Sequence, residues 1–316
     1  MLTFVIRRFA SMIVVLLCVV TFTFLLARLA PGSPFATEKN LPPAVMQALE
    51  TRFNLHGSML EQFGSYLGVR RNVSGHYSGL LQGDMQPSLK YRDQSVSELI
   101  AQSLPISAVL GTTAFIIAMI AGVWLGCVAA IHQHHWIDSA SMLGALLLIS
   151  IPTFIVGPVL VLIFALNLHW LPVGGWGSLE SLILPSITLA GPYVAYIARL
   201  MRSSMLDVLG HDFVRTARAK GLADSATVYR HVLKVAILPI VSFAGPLAAN
   251  LLTGSIVIEA IFNIPGMGGF FVNSIGNNDY FLLCGVVIVY CSLLIFLNFV
   301  VDIAYSFLDP RIRLAD

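Results

Sequence analysis

The side chains best placed to do chemistry lie between Tyr196 and Pro239, in the stretch YIARLMRSSMLDVLGHDFVRTARAKGLADSATVYRHVLKVAILP. Its core, RTARAKGL from Arg215 to Leu222, follows Asp207 and Asp212 and precedes YRHVLKVAILP. Arg and Lys carry fixed positive charge at neutral pH, so this cluster offers recognition of a partner or a surface. Patterns for catalysis are missing. No G-x-x-x-x-G-K-[ST] phosphate loop occurs, since Lys220-Gly221 has the order reversed. Neither G-x-S-x-G nor H-E-x-x-H is found. The HQHH group, His132, His134 and His135, has Asp138 as its one nearby hard ligand, and a plain interfacial turn explains it more simply than a metal. No catalytic residue and no metal site are therefore expected. Cys18, Cys127, Cys284 and Cys291 fall within apolar runs and read as small hydrophobes.

The elements that must position the basic cluster follow from composition. The 316 residues are 57% apolar and 11% charged, against roughly 45 to 50% and about 25% in soluble domains. An all-α integral membrane protein is expected. A net charge of +2 gives no reason to expect nucleic-acid binding. The first apolar run, 9–29, lies behind Arg7-Arg8 and exceeds the ~7 to 15 residue core of a cleavable signal. Arg28 also stands where small residues would precede a cleavage site, so 1–30 reads as an uncleaved anchor helix. Residues 31–100 turn polar and are expected to form an extracytoplasmic insertion of short helices and turns. Apolar segments near 104–131, 139–166, 181–201, 235–262 and 281–307 then bring the total to six transmembrane helices. The five-helix core is thus 101–308, with a cytoplasmic loop at 202–234 and a cytoplasmic tail at 309–316. Pro152, Pro158, Pro185 and Pro192 predict kinks, serving either packing or a hinge.

Orientation follows from the cations. With the amino terminus inside, the inner side receives Arg7, Arg8, Arg199, Arg202, Arg215, Arg218, Lys220, Arg230, Lys234, Arg311 and Arg313. The outer cations all lie at or within the long first loop, which translocates largely regardless of charge, and the short loops near 167–180 and 263–280 have none. Both termini are expected in the cytoplasm. Asp212 suits a helix start, Arg215, Arg218 and Lys220 suit its end, and Gly221 can supply a left-handed stop. Two short helices meeting at Gly221 would form a knob for a cleft in another protein. A solvated loop touching anionic lipid head groups fits the same residues.

At this point the chain resembles the membrane-spanning subunits of ATP-binding-cassette importers, in the dipeptide and oligopeptide branch. The residues carrying the likeness are Arg215, Thr216, Ala217, Arg218, Ala219, Lys220, Gly221 and Leu222, with His231 and Leu238-Pro239 downstream. It extends through RRFASMIVVLLCVVTFTFLLARLAPGSPF, LPPAVMQALETRFNL, SLPISAVLGTTAF, GSIVIEAIFNIPGMGGFFVNSIGNNDY and the final DPRIR. The layout is most similar to the first of two oligopeptide permease subunits. Where the general importer signature begins Glu-Ala-Ala, Arg215-Thr216-Ala217 stand here, as is usual in the peptide branch.

The resemblance implies a type I importer permease fold in the bacterial cytoplasmic (inner) membrane, moving oligopeptides by alternating access. It implies four partner subunits, a second homologous permease, two ATPases and an extracytoplasmic peptide-binding protein, besides membrane lipid. It also implies that the Arg215 to Leu222 knob is a coupling helix seated on an ATPase. The chain itself would bind no cofactor, ATP and Mg being used by the partner subunits. Among polar residues in the spans, Asn250, Thr253 and Glu259 are candidates for the translocation path, because polar groups at membrane depth often face a watery cavity. Ser255 lies beside them, and Ser150 and Asn298 read as helix-to-helix hydrogen bonders. The alternatives are the same role for dipeptides, glutathione or nickel chelates, and a stand-alone secondary transporter. The last is disfavoured by scarce intramembrane carboxylates and by the lack of an inverted repeat.

Overall fold

The computed structural model describes residues 2–29, 51, 57–71, 76–91 and 94–308. The APGSPF and LPP motifs and the tail 309–316 fall outside the described residues. Long helices dominate: α1 (Leu2–Leu29), α3 (Val96–Ile131), α6 (Glu180–Leu209), α10 (Leu238–Leu252) and α13 (Tyr280–Leu308). Between α1 and α3 lies the short α2 (Met59–Leu67), and α4 (Trp136–Ser150) and α5 (Thr153–Leu160) separate α3 from α6. Among the described residues five helical stretches are long and apolar enough to cross a membrane, the fourth of them running from Leu238 to Ile261, or six if Trp136–Ser150 and Thr153–Asn167 form one broken span.

That broken span bears out the kink expected at Pro152 within 139–166, as a full break of the helix. The axis turns by 103° between Ser150 and Thr153. Pro152 restricts the residue before it to extended backbone, and Ile151 accordingly sits at φ −88°, ψ 119°. Beyond α5 the helix widens to π geometry over Val161–Asn167. The segment expected as one span at 235–262 is found as one, Leu238–Ile261, with an interruption inside it. α10 stops at Thr253, Gly254 turns the chain at φ 95°, and α11 (Ile256–Ile261) starts afresh with the Ser255 hydroxyl accepting from the Ile258 N–H. α12 (Gly268–Gly276) completes a hairpin before α13.

Small residues let the central helices approach closely. Gly122 and Gly126 of α3 face α6, where an added Cβ would lie 2.7 Å from Ile197 Cβ and 2.5 Å from the Ala198 carbonyl. At Gly111 it would lie 2.1 Å from the Leu251 carbonyl of α10. Such contacts replace hydrophobic driving force, which is absent between helices in lipid. The main core joins α3, α6 and α10, with Leu110, Ile197, Met201, Ile240 and Leu251 all at most 2% exposed.

α1 runs against α13. At one end the Arg8 guanidinium lies 3.0 Å from Asp302, and at the other Arg28 lies over the rings of Phe24, Tyr280 and Phe281. α2 opens with a capping box between Ser58 and Glu61 and ends on left-handed Gly68. The Ser58 backbone N–H, and then Arg70, hold the Glu61 carboxyl below the usual glutamate range. Tyr66 of α2 stacks on Phe24 and Phe281, fixing this helix to the Arg28 end of the bundle.

Candidate coupling loop and translocation cavity

α6 continues to Leu209, further than the expected 201, and delivers Gly210 and His211 to a short helix, α7 (Asp212–Ala219). His211 is extended, and Asp212 places negative charge in the first turn. The helix is amphipathic. Val214 and Ala217 are buried, while Arg215, Thr216, Arg218, Ala219 and Lys220 are exposed. Gly221, at φ 81°, ends it, with its own N–H on the Arg218 carbonyl at 2.9 Å and the Leu222 N–H on the Ala217 carbonyl at 3.3 Å. This pair of bonds is the Schellman arrangement, which needs a left-handed residue at that position. Across the turn, Arg218 Nε reaches Asp224 Oδ1 at 2.9 Å and joins α7 to α8 (Asp224–Thr227). A π-helical turn, Val228–Val232, then α9 (Leu233–Ala236) lead to α10, where Pro239 occupies the first turn. Val228 and Val232 are buried, and His231 points outward with exposed Tyr229. The result is a knob with two buried anchors on each limb and a cationic outer face.

Asn250 and Thr253 line a cavity of about 480 Å³ between the end of α10, the α11–α12 hairpin and α13. Met267, Gly268 and Phe271 form its hairpin side, and Val286, Tyr290 and Cys291 its α13 side. Asn250 Nδ2 donates to the Tyr193 hydroxyl at 2.8 Å, tying the cavity to α6. Glu259 lies behind the wall of this cavity. It is 3% exposed and does not line this cavity. Its Oε1 accepts from the Ser107 hydroxyl at 2.7 Å and its Oε2 from the Gly268 N–H at 2.9 Å. The cavity wall is otherwise largely apolar and uncharged, suited to a ligand with varied side chains and few fixed contacts.

Residues 122–314 match the family described as binding-protein-dependent transport system inner membrane component, and residues 1–111 match the N-terminal family of the same membrane components. The chain belongs to this permease family. The oligopeptide transport system permease protein OppB of Escherichia coli (strain K12) is 45% identical over 315 residues, covering 99% of this chain and all of that one. OppB of Haemophilus influenzae is 44% identical with the same coverage. The dipeptide transport system permease protein DppB of Bacillus subtilis is 41% identical over 314 residues, 99% of each chain. Among solved structures, the MetNI methionine ABC transporter in an inward-facing conformation gives a TM-score of 0.56 at 16% identity, over 67% of this chain and 96% of that one. An amino acid ABC transporter with histidines gives 0.50 at 14%, over 66% and 94%. The permease therefore has the type I ABC importer fold, and the resemblance read from its motifs is borne out.

Further contacts in this permease were invisible in the sequence. Arg202 of α6 grips Asp138 at the start of α4 with two bonds, Nε to Oδ1 at 2.6 Å and Nη2 to Oδ2 at 2.7 Å. Asp138, weighed above as a metal ligand, is thereby engaged by a residue ten positions before the knob helix begins, and no group of three His, Cys, Asp or Glu is placed to hold a metal among the described residues. Phe213 and Tyr229, 43% and 69% exposed, give the knob aromatic surface of the kind enriched at protein interfaces. Each stands between one buried residue and one exposed charged residue, Asp212 and Val214 for Phe213, Val228 and Arg230 for Tyr229, and no sequence pattern singles them out. Ser150 bonds back to the Leu146 carbonyl of its own helix at 2.8 Å, without the helix-to-helix bond expected of it. Gly245 of α10 packs against Asn298 and Val301 of α13, so the Asp302 end of α13 and the knob lie at the same end of the molecule.

Proposed function

We propose that this chain is one permease half of an ATP-driven importer that carries oligopeptides inward across the bacterial cytoplasmic membrane by alternating access. The observation that carries this reading is full-length likeness, at 44 to 45%, to oligopeptide permeases. In this reading the second half is a homologous permease, and two ATPase subunits hydrolyse ATP with Mg. The chain binds no cofactor and is not itself an enzyme. The knob from Arg215 to Leu222, with His231 and Pro239 on its returning limb, seats in an ATPase groove. Arg202 and Asp138 transmit its displacement to α4 and α6. Asn250 and Thr253 face the moving peptide. An extracytoplasmic peptide-binding protein docks on a surface to which residues 31–100 and the Asn263 to Tyr280 loop contribute. Both termini are cytoplasmic, and the knob shares their end of the molecule through Arg8 and Asp302.

A pull-down of the tagged chain in mild detergent, with mass spectrometry of its companions, tests the assembly. Two ATPases, a second permease and a peptide-loaded binding protein are the expected result. A chain recovered alone or as a homo-oligomer, under conditions preserving known complexes, would overturn it. The 41% identity to a dipeptide permease supports dipeptides as the second cargo. Uptake of labelled tetrapeptide, dipeptide and nickel, compared in one strain, separates these cargoes.

A further inference from the structure

Glu259 is a carboxylate enclosed by backbone. A Cβ at Gly254 would lie 2.4 Å from Glu259 Oε1, one at Gly266 2.4 Å from its Cδ, and one at Gly268 2.9 Å from Oε2. Three glycines thus leave the space that the carboxylate fills. Its bonds reach three elements. Glu259 stands on α11, the Gly268 N–H begins α12, and Ser107 belongs to α3. Ser107 Oγ also accepts the Met267 N–H at 2.7 Å while donating to Glu259. Buried polar groups held this completely are rigid, because breaking any bond leaves an unsatisfied group in a dry site.

The two N–H groups so held belong to Met267 and Gly268, and both line the 480 Å³ cavity. The same hairpin is fastened on its other side, where the Gly175 N–H donates to the Phe262 carbonyl at 2.7 Å. Nearby, Gly111 brings α3 against the Leu251 carbonyl at the end of α10. One wall of the cavity is therefore tied to α3 by a carboxylate outside the lining.

We infer that Glu259 is a positioning residue for transport: it makes the α11–α12 hairpin and α3 move as one body, so that this cavity wall follows the bundle and does not yield separately. The inference rests on the importer reading above. Loss of the clamp lets the wall relax without the bundle moving, which spends ATP without moving peptide.

The test uses the complete complex purified with its native partners, in proteoliposomes, with labelled tetra-alanine as the probe. Hydrogen exchange at Met267 and Gly268 is read alongside uptake and ATP hydrolysis. Glu259→Ala should speed exchange at both amides and lower the ratio of peptide moved to ATP hydrolysed by about tenfold, a typical coupling magnitude. Ser107→Ala should change both in the same direction. Glu259→Gln, which keeps an oxygen to accept the Gly268 N–H and can remake the contact to Ser107 with its amide N–H donating to Ser107 Oγ, should restore most of the ratio. Unchanged exchange in Glu259→Ala would overturn the clamp. Faster exchange with an unchanged transport ratio would reduce it to a brace and overturn its role in transport. Should the wild-type complex itself show no ATP-dependent uptake, the importer reading fails and the transport role falls with it, while the exchange data still report the clamp.

Discussion

Asp279 Oδ2 accepts the Ser88 hydroxyl at 2.5 Å, joining residues 191 apart in the chain. The same oxygen receives the Leu89 and Lys90 N–H groups, at 3.1 and 3.3 Å, while Oδ1 caps the Leu282 N–H at 3.1 Å. One carboxylate, 1% exposed, thus starts α13 and fastens the segment before α3 to it. Tyr91 meets Phe270 edge to face at 5.5 Å beside this anchor. Asp279→Ala leaves several buried donors unmet, at about 1 to 3 kcal/mol for an unsatisfied group. The expected outcome is a lower thermal midpoint and faster tryptic cleavage around Arg70 and Lys90, measured on the purified chain.

Gly221 has open space around its missing Cβ, so the cost of replacing it is conformational. At φ 81° a β-branched residue is strained, while asparagine tolerates the left-handed region. Gly221→Val should leave the spans folded yet cut ATP-dependent uptake about tenfold or more, with Gly221→Asn near wild type. Normal uptake in Gly221→Val would count heavily against the knob as the coupling element.

The Arg202–Asp138 pair is bidentate, with Asp138 side chain 7% and Arg202 27% exposed. Removing one partner of a buried pair costs about 3 to 5 kcal/mol, and the partial exposure of Arg202 argues for the lower end. Asp138→Ala should lower the thermal midpoint of the solubilised chain, and Arg202→Ala should add little further in the double variant. Additive losses in that cycle would show that the two residues are not coupled.

Gly111 and Gly144 provide a paired test of helix packing. A methyl at Gly111 meets the Leu251 carbonyl, whereas at Gly144 nothing lies within 4 Å. Gly111→Ala should destabilise by about 1 to 3 kcal/mol through overpacking. Gly144→Ala, within α4, should be neutral or stabilise by up to about 1 kcal/mol through helix propensity. Detergent unfolding monitored by circular dichroism distinguishes them.

Local signals were legible before the fold was known. Hydropathy over span-length windows marked the apolar segments, and the Arg218 to Leu222 pattern marked the left-handed stop at Gly221. Both depend on residues close in sequence. Pro152 likewise announced the bend between Ser150 and Thr153, though not its size of 103°, whereas nothing in the apolar run around Gly254 announced the interruption there, because apolar composition continues across it. Being ionisable at membrane depth makes Glu259 a candidate for the path by sequence alone. Its partner Ser107 lies 152 residues away, and no local pattern announces that pairing.

The sequence by itself determined the membrane class, the family and the basic knob, since these follow from composition, charge placement and motifs written in adjacent residues. Only the tertiary structure decided that Asp138 holds Arg202, that Asp279 gathers the segment before α3, and that Glu259 fastens a cavity wall it does not line. The reason is physical: a buried carboxylate takes whichever donors helix packing brings to it, and small residues such as Gly111, Gly122 and Gly266 set that packing through close approach between segments far apart in the chain.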